Sequence, residues 1–171
     1  MAKYSPDVLV KWFRDKISQV VGFKKDVRKD LLSKTTAQRS STILGKMYFY
    51  SYDPKWKDSL PIYDRYPLVF PIEPYSDGFL GLNLHYLNLG ERQIFLARLE
   101  QHMTDRRYDE NTRLRLSYRL MEQTKTLSSL GRPCVHRYLF NHVRSRFIEI
   151  PSSEWDKAAE LPTELFVTKR K

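Results

Sequence analysis

The chain has 171 residues, 41% hydrophobic and 13% aromatic, so it can bury a core and is too apolar for a disordered chain. Lys and Arg number 30 against 20 Asp and Glu, a net +10, and the single cysteine, Cys134, excludes an internal disulfide framework and a multi-cysteine zinc module. No apolar run approaches the roughly 18 residues of a membrane helix, and charges interrupt Met1 to Lys16 where a signal peptide would be apolar, so a soluble, intracellularly made basic protein with no membrane partner is expected.

Ser5-Pro6-Asp7 opens a helix, with Ser5 able to cap and Pro6 at the first helical position. Val8, Leu9, Trp12, Phe13, Ile17 and Val20 recur at helical spacing, and Gly22 ends the segment, giving an N-terminal helix over 1–22. Residues 23–46 are basic, rich in Ser and Thr and sparse in apolar residues, and read as an arm or linker. A globular part over 47–168 follows, and Lys169-Arg170-Lys171 forms a basic tail.

Within the globular part, Met47 to Tyr52 is strand-like and Asp53-Pro54 stops it. Leu68 to Ile72 is a second strand, which Pro71 assigns to a sheet edge. Asp77-Gly78 marks a hairpin turn. Leu82, Leu84 and Tyr86 then alternate with Asn83 and His85 as in a strand with one solvated face. Ile94, Phe95, Leu99 and Met103 predict a helix over 91–103. A second helix, capped within 109–111, carries Leu114, Leu116, Tyr118, Leu120 and Met121, and a third over about 133–145 carries Val135, Tyr138, Leu139 and Val143. Phe147 to Ile150 is short and extended, and a last helix starts at Ser152 as cap and stops at Pro162. The fold class is α+β: a small antiparallel sheet packed against several helices, with a basic N-terminal arm. Its centre should bury Trp12, Phe49, Phe70, Leu82, Leu84, Phe95, Leu116, Leu139 and Trp155.

The charge is uneven. Residues 1–46 hold 11 basic and 4 acidic residues, residues 47–90 hold 3 and 5, and residues 91–150 hold 12 and 7. Two basic regions therefore flank a slightly acidic, aromatic middle, the pattern of a packed centre with polyanion-facing surfaces. Lys24, Lys25, Arg28, Lys29, Lys34 and Arg39 supply the first region, and Arg106, Arg107, Arg113, Arg115, Arg119, Arg137, Arg144 and Arg146 the second. On a helix Arg115 and Arg119 would share a face. Lysine suits diffuse attraction and arginine forks suit ordered phosphate contacts, although these arginines could equally pair with Glu91, Glu100, Asp105, Asp109, Glu110 and Glu122.

Catalytic patterns are weak. His85, His102, His136 and His142 lack helical metal-ligand spacing, so no metal or other cofactor is assigned. Cys134 could lie at a helix N-terminus, where a thiolate is favoured, but a lone cysteine is more often a buried hydrophobe. Asp53, Asp64 and Asp77 are the acids a nuclease would need, yet they sit in proline-bounded turns or near arginines, and no catalytic residue is assigned. The dense aromatics could stack bases, but the negative middle favours a core plus a protein interface, with Tyr48, Tyr50, Tyr52, Trp56, Tyr63 and Tyr66 as interface candidates.

Several stretches carry a family resemblance: Gly45 to Asp53, Leu60 to Pro71, Asp77 to Leu87, Pro133 to Leu139, His142 to Phe147, Glu154-Trp155-Asp156 and Leu161 to Glu164. Over roughly residues 45–168 the chain resembles small virion proteins of T4-like tailed phages, of the kind that protect DNA ends. The resemblance implies a non-enzymatic protein made in the host cytoplasm and carried in the virion. It would bind the packaged genome or its end near the portal or neck and block exonuclease. Its partners would be the DNA phosphate backbone and other virion proteins of the portal, neck or tail, with self-association open. A purely structural neck, tail or baseplate component is the alternative, and a nuclease the third reading.

Overall fold

The structure, a computed structural model, describes residues 3–20, 46–55, 57–59, 62–109, 116, 119–120, 123, 134–162 and 167–169. Residues 23–45 of the expected basic arm, most of the second helix and the basic tail's last two residues lie outside them, as do Trp56, Arg113 and Arg115.

Helix α1 (Pro6–Val20) starts at the proline, whose missing N–H costs nothing at a first helical position. It buries Leu9, Trp12, Phe13 and Val20. The Trp12 indole N–H donates to Glu154 Oε2 at 3.1 Å, and Lys16 Nζ reaches the same oxygen at 2.8 Å. Strands β1 (Met47–Phe49), β3 (Leu68–Pro74), β4 (Gly78–Asn83), β5 (Val135–Leu139) and β6 (Ile148–Ile150) form an antiparallel sheet in the order β5-β4-β3-β1-β6. A separate two-stranded ribbon pairs β2 (Ile62–Asp64) with β7 (Val167–Lys169). Helix α2 (Leu89–Thr104) follows a single 3-10 turn (Leu84–Tyr86), and helix α3 (Trp155–Glu160) follows another (Ser152–Glu154). The α+β class is as expected.

Both faces of the sheet are covered. On one, Met47, Phe49, Leu68, Phe70 and Leu82 pack against α1, α2 and α3 through Phe13, Phe95, Leu99, Trp155 and Ala158. On the other, Tyr48, Tyr50, Tyr52, Val69, Phe79 and Tyr138 form a second cluster closed by Phe140, Val143 and Phe147. Gly81 makes this second layer close: a Cβ there would lie 2.3 Å from Val69 Cγ1 and 3.3 Å from the Phe79 ring. The space it leaves lets Phe79 stack on Tyr138 with ring centroids 5.4 Å apart. At Gly78 a Cβ would meet the Tyr138 carbonyl oxygen at 1.9 Å, so only glycine lets β5 approach the β3–β4 hairpin.

Four expectations change here. Residues 135–139 are a strand, not part of a third helix. The Val135, Tyr138, Leu139 spacing mimics a helical face because Val135 packs toward the helices while Tyr138 packs on the opposite side of the sheet. Five registered pairs with β4, Gly78↔Leu139 to Leu82↔Val135, then decide for strand, and only a 3-10 turn (Phe140–His142) follows. Pro71 is not on an edge, since β3 lies between β4 and β1. Among the described residues the β1 ladder engages Leu68 and Val69, and a bulge between Pro71 and Glu73 shifts the β4 register, so the missing proline N–H is not required by either neighbour. Residues 83–86 are not a half-solvated strand: β4 ends at Asn83, and Leu84, His85 and Tyr86 form the 3-10 turn with every one of them buried. Ser152 does not cap the last helix; it opens a 3-10 turn, and no side-chain cap bond is made there or at α3.

The core expectation holds at Trp12, Phe49, Phe70, Leu82, Leu84, Phe95 and Trp155, whereas Leu116 and Leu139 are only half-buried. Helix α2, by contrast, starts through an unforeseen capping box: Asn88 Oδ1 accepts from the Glu91 N–H, and Glu91 Oε2 accepts from the Asn88 N–H, both at 2.9 Å.

Arg92 on α2 is 3% exposed and gives its guanidinium to backbone carbonyls. Nε donates to Leu84 O at 3.0 Å and Leu87 O at 2.8 Å, Nη1 to Leu161 O at 2.7 Å and Ala159 O at 3.3 Å, and Nη2 to His85 O at 3.4 Å. One side chain thus closes the 3-10 turn and satisfies carbonyls at the end of α3. Arg92→Met keeps the stem but leaves these carbonyls without their donor, and should cost about 3 kcal/mol or more by urea denaturation. Arg92→Lys should recover only part of that, because a point charge cannot serve a fan of acceptors.

Candidate nucleic-acid interface

The ribbon strand β2 and the segment 51–55 lie beside the β5 edge of the sheet. The Tyr52 N–H donates to Arg65 O at 2.9 Å, the Asp53 N–H to His142 O at 2.9 Å, and the Arg144 N–H to Ser51 O at 2.8 Å. Between these elements lies a cavity of about 470 Å³. Tyr52, Tyr63, Tyr86 and Tyr138 give it aromatic walls, with His136 against Tyr86 at a ring separation of 4.7 Å. Lys55 and Arg137 line it with positive charge, and Asp64 and Asp77 with negative.

Asp64 is held by a buried polar cluster. Its Oδ1 accepts the Tyr66 N–H at 3.0 Å, and its Oδ2 accepts from Asn83 Nδ2 at 2.9 Å and lies 2.6 Å from His85 Nδ1. Asn83 Nδ2 also donates to the Tyr138 hydroxyl at 3.1 Å, and Asn83 Oδ1 accepts the His85 N–H at 3.0 Å. Burial pushes the His85 imidazole below its ordinary range, outweighing the pull of Asp64. A neutral His85 donating from Nδ1 to the Asp64 carboxylate accounts for this geometry. An Asp–His pair can orient a general base, but His85 is 0% exposed, so this one braces the fold rather than facing a substrate. The cluster joins residues 21 apart in sequence. Its one visible signal is the pair of polar residues, Asn83 and His85, inside an otherwise apolar run.

The arginines named from sequence are exposed where described. Arg106 and Arg119 sit on the surface. Arg107 pairs with Asp105 at 2.7 Å, as one sequence alternative proposed. Arg137 pairs with Asp77 at 2.7 Å and lies over the Tyr75 ring at 4.8 Å. Arg144 donates to Asn141 O at 2.6 Å and reaches Asp53 at 3.5 Å, and Arg146 donates to Gln19 O at 3.1 Å. The pairs with Asp53 and Asp77 join the second basic region to acids of the middle, which were not among the partners expected for these arginines. Lys24, Lys25, Arg28, Lys29, Lys34, Arg39, Arg113 and Arg115 lie outside the described residues.

The aromatic middle is mainly core. Tyr48, Tyr50 and Tyr52 are buried, Tyr48 and Tyr50 completely, so those two present no surface to a partner, while Tyr52 keeps only the part that lines the cavity. Their ring contacts with Phe79, Tyr138 and Phe147 consume the faces that an interface would use. Tyr63 and Tyr66 are half-buried. Tyr66 stacks on Phe49 at 5.9 Å, which leaves Tyr63, on the cavity, as the described interface candidate outside the core clusters.

The three acids weighed for catalysis are separately engaged. Lys57 holds the Asp53 carboxyl below its usual range, with Arg144 adding to the effect, and Arg137 does the same for Asp77. Asp64 lies in the His85 cluster. Among the described residues no group of three His, Cys, Asp or Glu side chains is placed to hold a metal ion, and no helix is long and apolar enough to cross a membrane. Cys134 is fully buried, and its thiol is pushed up to about 11 by burial, so the helix-terminal thiolate does not arise.

A family model described as phage T4 terminal DNA protecting protein matches residues 9–171 of the chain. No curated protein and no solved structure matches it.

The buried histidine sets a pH test. Its imidazole is harder to protonate in the folded chain than in the unfolded one, so the unfolded state takes up the proton first as pH falls. The contribution is present above the ordinary histidine range, about pH 6.5, and should be lost progressively as pH falls below it. Urea midpoints followed downward from neutral pH should fall in the wild type and fall less in His85→Gln. Equal slopes would remove His85 as the cause.

Proposed function

The chain belongs to the phage T4 terminal DNA protecting protein family, and we propose that it binds the end of a linear DNA genome and protects it by occupation, with no chemistry of its own. The family match over residues 9–171 carries this reading. The surface chemistry supports it: Arg106, Arg107, Arg119, Arg137, Arg144 and Arg146 are all exposed, and their guanidinium groups suit phosphate. The lysines of residues 23–46 add diffuse attraction to a polyanion. Asp53 and Asp77, which a metal-dependent nuclease would need unencumbered, are tied to Lys57, Arg144 and Arg137.

In this reading the protein is made in the host cytoplasm and carried in the virion. It sits near the portal or neck, against an end of the packaged DNA and neighbouring virion proteins. A bound end is closed to an exonuclease because the enzyme must enter there.

Purified protein should shield linear duplex DNA from an added exonuclease and leave linear and circular DNA intact with magnesium or manganese alone. Duplex affinity should show little sequence preference. It should drop about a thousandfold between 50 and 200 mM salt if about six phosphates are contacted. Deleting residues 23–46 should flatten that dependence. Failure to bind even at low salt would turn the assignment toward a purely structural virion component. Metal-dependent degradation abolished by Asp53→Ala or Asp77→Ala would turn it toward a nuclease.

A further inference from the structure

We infer that the cavity beside β5 receives the terminal nucleotide of a DNA end, splayed out of its base pair; this rests on the end-binding reading above. Phosphate contacts position a protein on a duplex but are the same along the whole shaft. Selecting an end requires a feature that the shaft lacks. The terminal base pair has a stacking neighbour on one side only, so its nucleotide is the one that leaves the stack at least cost.

The cavity suits such a nucleotide in size and chemistry. Its volume of about 470 Å³ lies in the range of small-ligand sites. Tyr63 and His136, both half-buried on the cavity wall, offer rings of the kind on which unpaired bases stack without regard to sequence. Lys55 and Arg137 supply positive charge for the phosphate that accompanies the base. Arg137, exposed on the rim, is oriented by its pair with Asp77 and by the Tyr75 ring. The buried Asp64 cluster holds the β2 wall, Tyr63 included, against the sheet.

The test compares full-length protein on a linear duplex, a covalently closed circle of equal length, and linear duplexes carrying one mismatch either at the terminal pair or in the middle. A splayed base predicts that the terminal mismatch tightens binding about tenfold, because unpairing no longer has to be done, while the internal mismatch changes nothing. Tyr63→Ala and Lys55→Glu should each abolish that gain and weaken end binding about tenfold, while affinity for the circle stays within about twofold. Lys55 is exposed, so its variant decides the matter even if Tyr63→Ala fails to fold. Equal affinity of the wild type for linear and circular DNA would overturn the end-binding reading itself. A kept preference for the linear duplex, with no gain from the terminal mismatch and no effect of Lys55→Glu, would overturn the cavity inference alone.

Discussion

The arrangement hangs on a buried cation that is satisfied by backbone. A guanidinium taken out of water is costly unless its donors find acceptors, and Arg92 finds five carbonyls on two separate segments, 84–87 and 159–161. Those acceptors are available because a 3-10 turn and a helix end leave carbonyl lone pairs to spare, even at Leu84 O, which also accepts the Leu87 N–H. The effect propagates. Arg92 fixes the Leu84–Tyr86 turn; the turn sets His85 beside Asp64; His85 and Asn83 hold Asp64; and Asp64 belongs to the ribbon strand that carries Tyr63. The cavity wall is therefore positioned from the helical layer, through a relay of hydrogen bonds.

The sheet divides two kinds of packing. Its helical side is mixed aliphatic and aromatic, as in most α+β cores. Its other side is almost wholly aromatic, with Tyr50 touching Tyr52, Phe79, Tyr138 and Phe147 at ring separations of 4.7 to 6.2 Å. Edge-to-face and stacked rings interlock with little freedom to slide. That side carries the cavity, so the site rests on a stiff floor while its rim is made of short loops and a two-stranded ribbon.

Much of the fold was legible where a local rule acts alone. Pro6 begins α1, Asp77-Gly78 turns the hairpin, and Pro162 follows α3 as a stop. Two of the errors come from partners that only the tertiary fold supplies. Val135 and Tyr138 pack on opposite sides of the sheet and so fall into a helical spacing, and Asn83 and His85 resembled a solvated face although they bind Asp64 in the interior. The interface reading of Tyr48, Tyr50 and Tyr52 failed similarly: tyrosine is amphipathic, and nothing in a sequence tells a ring that faces a partner from one that faces another ring of its own chain. The cavity was not legible at all, because its lining comes from segments 52–55, 63–64, 77, 86 and 136–139, which only the tertiary fold assembles. The named arginines were legible as surface residues but not as partners of Asp53 and Asp77.

The sole thiol has a practical corollary. Cys134 is enclosed at the start of β5 and resists ionisation, so it is a poor nucleophile toward alkylating reagents at neutral pH. The native chain is thus chemically silent to maleimide probes without any cysteine having to be removed. A single cysteine introduced on the rim would be the one reactive handle. A fluorophore or photo-crosslinker attached there could report whatever comes to lie against that rim.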